Sequence, residues 1–192
     1  MDWILASASP RRKELLKELI EEFEVIPSLA DERVEEGLTP RELVQRLACQ
    51  KAAEVAARPC ANGKCVLGSD TVVALDGNIL GKPKTPAEAK EMLAALSGRV
   101  HEVYTGVCID YPTAQGRKQQ IDAACTSVYF LPLTEETIDA YVATGSPMDK
   151  AGAYGIQDGG LVEKIEGSFS NVVGLPVELC AEMIAKVKEM IG

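Results

Sequence analysis

The strongest constraint on the fold is an apolar run at residues 66–75 that carries one carboxylate, Asp70, in its middle. Its length and its content of valine and leucine are typical of a buried β-strand. An ionised aspartate inside such a strand costs several kcal/mol unless it is paired with a cation or binds a metal. Asp70 is therefore the leading candidate for chemistry. The alternative is a structural aspartate that is hydrogen-bonded to Ser69 and Thr71.

A hairpin turn follows this strand. Residues 76–78 read Asp-Gly-Asn, which predicts a tight turn, and residues 79–81 then return antiparallel to the strand. The return brings Lys82 back toward the level of Asp70. We therefore expect the two side chains to face one cleft, with a carboxylate for a metal or water beside a cation for phosphate. The sequence contains no Walker phosphate-binding loop.

The start of the chain, residues 4–16, predicts a short buried strand that turns directly into a helix. Ser9 suits the N-cap and Pro10 the first helical position. Arg11 and Arg12 then occupy the first turn, which normally favours acidic residues by roughly 0.3–1 kcal/mol each. Free N–H groups, serines and two guanidiniums together favour a polyphosphate cradle. A solvated basic turn is the alternative.

Two further segments carry functional candidates. Residues 39–42 form a capping box that opens a helix through about Ala57, and Lys51 falls on its apolar stripe. That lysine either extends to solvent along its flexible stem or points into a phosphate site. Residues 146–160 are too long and too rich in glycine for a mere connector, which indicates either a functional loop or a flexible one.

The remaining pattern predicts alternating helices and strands. A second capping box at residues 85–88 begins a helix that Gly98 ends, and residues 99–110 alternate as a strand. Residues 111–120 form a polar turn region, and 123–131 pair back as another strand. Thr134 caps the next helix, 162–165 form a strand, and an amphipathic helix closes the chain. The first helix is expected to carry Phe23 on its apolar face.

Composition excludes several classes of protein. The 192 residues are 46% hydrophobic, which suits one domain or two lobes sharing a sheet. The formal net charge of −9 argues against long nucleic acid as a partner. No secretory signal or apolar run of spanning length is found, so we expect a soluble, intracellular protein without a membrane partner. The six cysteines form no CxxC pair and His101 is the one histidine, which favours reduced, mostly buried thiols and a structural histidine.

Six segments, in this order, resemble the motifs of the Maf (septum formation) family of nucleoside triphosphate pyrophosphatases. They are residues 5–16, 68–73, 81–83, 96–106, 149–157 and 171–176. The resemblance extends from one end of the chain to the other and implies a single domain over residues 1–192. It also implies an α/β fold similar to the inosine triphosphate pyrophosphatases, with a mixed twisted sheet in two lobes and a central cleft. A cytoplasmic, usually dimeric enzyme that needs a divalent cation is expected.

The resemblance assigns catalytic roles to residues that the physical argument also selects. Asp70 is expected to be the proton acceptor, with Glu32, Lys51 and Lys82 completing the catalytic pocket. Mg²⁺ or Mn²⁺ is expected on Asp70 and Glu32, whose oxygen ligands suit hard cations. The implied reaction is a nucleoside triphosphate plus water giving a monophosphate and pyrophosphate, by attack at the α-phosphorus.

Substrate binding is expected from Ser7 and Arg11 together with Arg12, Thr71 and Gln157. These last three positions separate branches of the family, and the set resembles the branch that hydrolyses dTTP and UTP. A glutamine amide presents a donor and an acceptor side by side, which matches O4 and N3–H of thymine or uracil. A flipped amide would serve cytosine equally, so Gln157 alone does not give specificity.

Alternatives to this function remain at the sequence level. They are the branch of the same family that prefers 7-methyl-GTP, a non-catalytic nucleotide-binding regulator of cell division, and a phosphate-binding structural module. The last leaves the buried Asp70 without a purpose. The chain also departs from the family pattern after Gln157, where residues 158–160 read Asp-Gly-Gly instead of glycine and a slightly longer turn.

Overall fold

The computed structural model describes residues 1–31 and 37–191. The strands are β1 (Trp3–Leu5), β2 (Glu24–Val25), β3 (Cys65–Leu75), β4 (Asn78–Leu80), β5 (Val100–Thr113), β6 (Gly116–Phe130) and β7 (Val162–Glu166). The helices are α1 (Pro10–Lys17), α2 (Pro40–Ala56), α3 (Pro86–Leu96), α4 (Glu135–Ala143), α5 (Phe169–Val173) and α6 (Val177–Ile191). Short 3₁₀ turns lie at Pro59–Ala61, Ser146–Asp149, Ala151–Ala153 and Ile156–Asp158. The predicted α/β class is confirmed.

The sheet is mixed and has the strand order β2-β1-β3-β5-β6-β7. β1 is parallel to β2 and β3, and the remaining pairs are antiparallel. β5 covers one edge of β3 along residues 66–74. On the other edge, β1 pairs with residues 65–67 and β4 with residues 73–75. Within the described part of the chain, residues 68–72 have no strand neighbour on that edge, which leaves a gap at the middle of β3.

Helix α2 lies directly against β3 and β5. A Cβ atom on Gly68 would lie 2.3 Å from the carbonyl oxygen of Ala48, and one on Gly106 would lie 2.2 Å from that of Val44. No larger residue fits at either position, since real contacts of a Cβ atom are never so short. The two glycines therefore let the helix backbone approach the sheet, and Lys51 follows Ala48 by one turn.

Two hydrophobic clusters lie at the two ends of β3. The first contains Leu67 and packs α1 and α6 against the sheet, with Met183 fully buried. The second contains Val73 and packs α3 and α4 against the sheet, with Leu93 fully buried. The gap in the edge of β3 falls between them. This arrangement agrees with the predicted two lobes and central cleft.

The predicted polar turn at residues 111–120 is wrong. β5 continues through Thr113 and β6 begins at Gly116, so only two residues connect them. Polar side chains are satisfied across the pair: the buried Asp110 carboxylate accepts hydrogen bonds from Arg117 Nε at 2.5 Å and from Gln119 Nε2 at 3.0 Å. The sequence does not reveal this part of the strand, because its residues are polar and lack the alternation of apolar and polar residues that predicts a strand.

The first helix is shorter than predicted. α1 ends at Lys17, and Phe23 packs on the first hydrophobic cluster from a position beyond the helix. The helical spacing of apolar residues continues beyond Lys17 because the residues after the helix pack on the same first hydrophobic cluster.

The second predicted capping box is only half formed. Thr85 accepts a hydrogen bond from Glu88 N at 3.1 Å, but the Glu88 carboxylate accepts from Lys84 N at 2.7 Å rather than from Thr85 N. The box at Thr39 forms in full. The helix α3 nevertheless starts at Pro86, as predicted.

The cysteines are buried less often than expected. All six are free thiols, but Cys60 and Cys125 are exposed and Cys49 is half-buried. No helix in the described ranges is long and apolar enough to cross a membrane.

Candidate active site

The gap in the edge of β3 opens into a cleft of about 470 Å³. Its walls come from the first turn of α1, from α2, from residues 70–73 of β3 and from the loop containing residues 149–157. An adjoining cavity of about 350 Å³ surrounds the turn at residues 6–12. The two share four cationic side chains: Arg11, Arg12, Lys51 and Lys82. The shared residues join them into one elongated site.

The carboxylate of Asp70 is paired inside this cleft. Lys51 Nζ donates to Asp70 Oδ1 at 2.5 Å, and the two side chains are only 15% and 13% exposed. Ser69 and Thr71 do not hold Asp70: Ser69 Oγ donates to the carbonyl oxygen of Gly174, and Thr71 Oγ1 contacts Thr105 Oγ1. The buried carboxylate is therefore balanced by a cation, as its desolvation requires.

Arg12 ties the start of the chain to the sheet. Its Nε donates to the carbonyl oxygen of Gly174 at 2.8 Å, and its two terminal nitrogens donate to Thr71 Oγ1 at 3.0 Å and Ser7 Oγ at 3.4 Å. Ser7 Oγ also accepts from Ser9 N at 3.2 Å, which shapes the turn before α1. Ser9 is the N-cap, as predicted. The guanidinium thus fixes the turn before α1 against β3 and the end of α5.

Arg11 reaches across the site to the long loop. Its guanidinium contacts Asp149 Oδ2 at 3.2 Å, and Lys150 Nζ lies 2.8 Å from Asp149 Oδ1. Burial raises the pKa of Asp149, but hydrogen bonding and charge from Lys150 and Arg11 outweigh it, so the pKa is lowered. Sequence reasoning selected the loop but missed both Asp149 and Lys150 as cleft residues; their charged dipeptide inside a glycine-rich segment was the available signal.

Lys82 and Gln157 lie exposed at the rim of the cleft. Lys82 also lines the smaller cavity and makes no ion pair with any described residue. Gln157 lies in the 3₁₀ turn Ile156–Asp158 and borders the larger cleft but not the smaller cavity. Gln157 therefore belongs to the larger cleft only, whereas Lys82 lines both cavities. Glu32, the remaining predicted site residue, lies outside the described residues.

The described residues were also compared with the requirements of a metal site. Over residues 1–31 and 37–191, no group of three or more His, Cys, Asp or Glu side chains is arranged to hold a metal. The oxygen that Asp70 does not share with Lys51 has a hard donor character suited to Mg²⁺ or Mn²⁺.

A family model described as "Maf-like protein" matches residues 2–187. The chain belongs to the Maf-like protein family. The expected family is thereby confirmed, and the match includes the first turn of α1, the middle of β3 and the loop at residues 149–157.

Curated Maf relatives cover nearly the whole chain. A dTTP/UTP pyrophosphatase of Thermococcus gammatolerans is 50% identical over 189 residues, which is 97% of this chain and 95% of the relative. One of Moorella thermoacetica is 50% identical, covering 95% of this chain and 93% of the relative. One of Clostridioides difficile is 46% identical, covering 97% and 95%. Among solved structures, the Staphylococcus aureus Ham1 protein matches with a TM-score of 0.46 and 20% identity over 68% of this chain and 72% of that chain.

Proposed function

We propose that this protein hydrolyses dTTP and UTP to the monophosphate and pyrophosphate. The observation that carries the proposal is the Asp70–Lys51 pair, buried between a cationic cavity and a cleft bordered by Gln157. The names of relatives at 46–50% identity support the same activity and the same two substrates.

The shape of the site supports attack at the α-phosphorus. The smaller cavity, with Arg11 and Lys82 on its wall, suits the β- and γ-phosphates, and the larger cleft suits the nucleoside. Lys51 lines both, so its partner Asp70 lies close to the boundary, where the α-phosphorus would sit. Cleavage there separates a monophosphate in the cleft from pyrophosphate in the cavity.

In this reaction Asp70 accepts a proton from the attacking water. The new bond forms between that water oxygen and the α-phosphorus, and the bond from the α-phosphorus to the bridging oxygen of the β-phosphate breaks, so the electron pair leaves with pyrophosphate. Lys51 orients the carboxylate through its 2.5 Å hydrogen bond. Arg11 and Lys82 neutralise the charge that grows on the leaving group, which is the main requirement of such chemistry.

A divalent cation belongs to the proposal. Mg²⁺ in nucleotide enzymes is commonly held by one or two carboxylates together with substrate phosphates and water, so a large protein cage is not needed. Asp70 offers one such carboxylate in the described part of the chain, and Glu32 is the second by family resemblance. When bound, the cation would lower the pKa of a water and neutralise phosphate charge.

Base selection is proposed to rest on Gln157. Gln157 lines the larger cleft and not the smaller cavity, and its side chain makes no hydrogen bond to any described residue. The amide is thus available for O4 and N3–H of thymine or uracil. A fixed polar pair can reject a base with the wrong donors strongly, because the bound base would cover the amide and leave a mismatched group unpartnered.

The deciding experiment measures pyrophosphate release and kcat/KM for dTTP, UTP, CTP, GTP and 7-methyl-GTP with the purified full-length protein. We expect dTTP and UTP to be preferred. A preference for 7-methyl-GTP would assign the chain to the other branch of the family. Tight nucleotide binding without turnover would favour the regulator instead.

The cytoplasmic location and the homodimer that the family resemblance implies are part of the same proposal. Light scattering of the purified protein at micromolar concentration checks the dimer, with a monomer mass contradicting it.

A further inference from the structure

The turn that carries Gln157 also contains Asp158, whose carboxylate connects the turn to residues outside it. Asp158 Oδ2 accepts a hydrogen bond from the hydroxyl of Tyr141 at 2.5 Å and another from Ser146 Oγ at 2.6 Å. Tyr141 belongs to α4, and Ser146 begins the 3₁₀ turn that follows α4. The C-terminal end of the Gln157 turn is therefore anchored to a separate part of the fold.

The same phenol also holds the other end of the turn. Tyr141 Oη accepts a hydrogen bond from the backbone N–H of Gly155 at 3.0 Å while it donates to Asp158. Burial and the neighbouring Asp158 carboxylate raise the pKa of Tyr141 to about 12. The hydroxyl therefore keeps its proton at neutral pH and makes both bonds at once, one to each side of Gln157.

The charge of the anchor is also maintained. Burial raises the pKa of Asp158, but hydrogen bonds from Ser146 and Tyr141, with Lys150 and Arg11 nearby, outweigh it and lower the pKa. Lys150 Nζ in turn donates to the carbonyl oxygen and to Oγ of Ser146 at 2.7 and 2.9 Å. Hydrogen bonds to an ionised acceptor are roughly twice as strong as neutral ones, so the exposed Asp158 carboxylate still connects the turn to Tyr141 and Ser146.

Gln157 itself has no such support. Its side chain forms no hydrogen bond with the described residues, so the backbone of residues 155–158 sets the point from which its amide reaches a base. An amide free to rotate would present its donor and acceptor in either order. Discrimination of uracil from cytosine requires one order only, since the two bases exchange donor and acceptor at positions 3 and 4.

We propose that Asp158 is a positioning residue that fixes the Gln157 turn through Tyr141 and Ser146 and thereby sets the selectivity for uracil and thymine over cytosine. This inference rests on the proposed function. Asp158 does not line the cleft and touches no reacting group, so it acts through the turn.

The experiment compares kcat/KM for dTTP and CTP in wild type, Asp158→Ala and Tyr141→Phe. We expect the dTTP:CTP ratio to fall at least about ten-fold in each variant, mostly through a higher KM for dTTP, since Asp70 and Lys51 are unchanged. The double variant should lose little more than either single variant, because both remove one shared interaction. Asp139→Ala is the matched control, since Asp139 lies on the same helix as Tyr141 and pairs with Lys90 at the surface.

The outcomes distinguish failure of the proposed function from failure of the role of Asp158. Wild type that hydrolyses neither dTTP nor UTP refutes the proposed function and this inference with it. Wild type with the expected preference, and variants that retain it, refute the role of Asp158 alone. An equal fall in kcat for dTTP and CTP with an unchanged ratio also refutes it, since that is the result of general structural damage. Tyr141→Phe keeps the test valid if Asp158→Ala fails to fold.

Discussion

Lys51 Nζ and Asp70 Oδ1 lie 2.5 Å apart although the residues belong to a helix and a strand separated by 19 positions in the chain. The pair exists because α2 approaches β3 closely over Gly68, so that the lysine one turn after Ala48 reaches the strand. Asp70 lies between the residues of β3 that pair with β1 and those that pair with β4, where no other described strand pairs with this edge. The carboxylate is thereby buried, paired and still open to the cleft.

Asp70→Asn should lower kcat for dTTP more than ten-fold, a barrier increase above about 1.4 kcal/mol. The amide has the same shape but accepts no proton from water. Nucleotide binding, measured by calorimetry, should stay within a few-fold of wild type. Asp139→Asn makes the same change in the exposed pair with Lys90 and should leave kcat unaltered. A variant that kept a tenth or more of wild-type kcat would contradict the proposed role.

Lys82→Met should raise KM for dTTP about ten-fold or more, equivalent to roughly 1.4 kcal/mol of binding. The ammonium borders both the cleft and the cationic cavity, so its loss removes charge from the phosphate region. Lys84→Met is the control, because Lys84 is an exposed lysine two residues away that lines neither cavity. Equal KM values for the two variants would show that Lys82 does not contact substrate.

Removal of divalent cations with EDTA should abolish turnover, and added Mg²⁺ or Mn²⁺ should restore it. The reason is that Asp70 offers a carboxylate oxygen and a bound triphosphate would add phosphate oxygens, both of which favour hard cations. Products are identified by ion-exchange chromatography as monophosphate and pyrophosphate. Inorganic phosphate as the first product would place the attack at the γ-phosphorus and disprove the mechanism.

Gln157→Glu should change the ranking of the bases and reduce the preference for dTTP over CTP. Glutamate loses the N–H donor needed by O4 and offers an acceptor to the amino group of cytosine instead. The measurement is kcat/KM across the nucleotide panel. Gln115→Glu introduces the same charge at the exposed β5–β6 connection and should leave the ranking as in wild type. An unchanged ranking in Gln157→Glu would remove this residue from base recognition.

His101 should make the fold sensitive to mild acid. The ring is 2% exposed, its Nε2 lies 2.7 Å from the hydroxyl of Tyr154, and burial lowers its pKa to about 4. The unfolded chain takes up a proton near its usual pKa of about 6.5 while the folded protein does not, so stability is present above that pH and is lost as pH falls toward 4. This group alone should reduce the free energy of unfolding by about 2 kcal/mol between pH 7 and pH 5.

Urea denaturation at both pH values measures this effect. His101→Gln should be less stable at pH 7, because the packing with Phe130 and Tyr154 is altered, but should lose that part of the pH dependence. The same slope in the variant and in wild type would assign the acid sensitivity to other groups.

Local structure could largely be predicted from the sequence. The caps at Ser9 and Thr39 each act within three residues, so the starts of α1 and α2 are visible in neighbouring residues. β3 was equally clear, because a strand buried on both faces has a continuous apolar run. The polar start of β6 was missed for the converse reason: its partners, such as Asp110, lie on another strand.

Family membership and the chemistry expected at Asp70 followed from the sequence alone, because they depend on residue types in a fixed order. Tertiary structure decided which groups meet: Arg11 contacts Asp149 across 138 positions, and Arg12 contacts the carbonyl oxygen of Gly174 across 162. Asp158 likewise became significant only when α4 placed Tyr141 against it. Such contacts arise from the packing of whole elements, and no local pattern of residues records the distance between two side chains that are far apart in the chain.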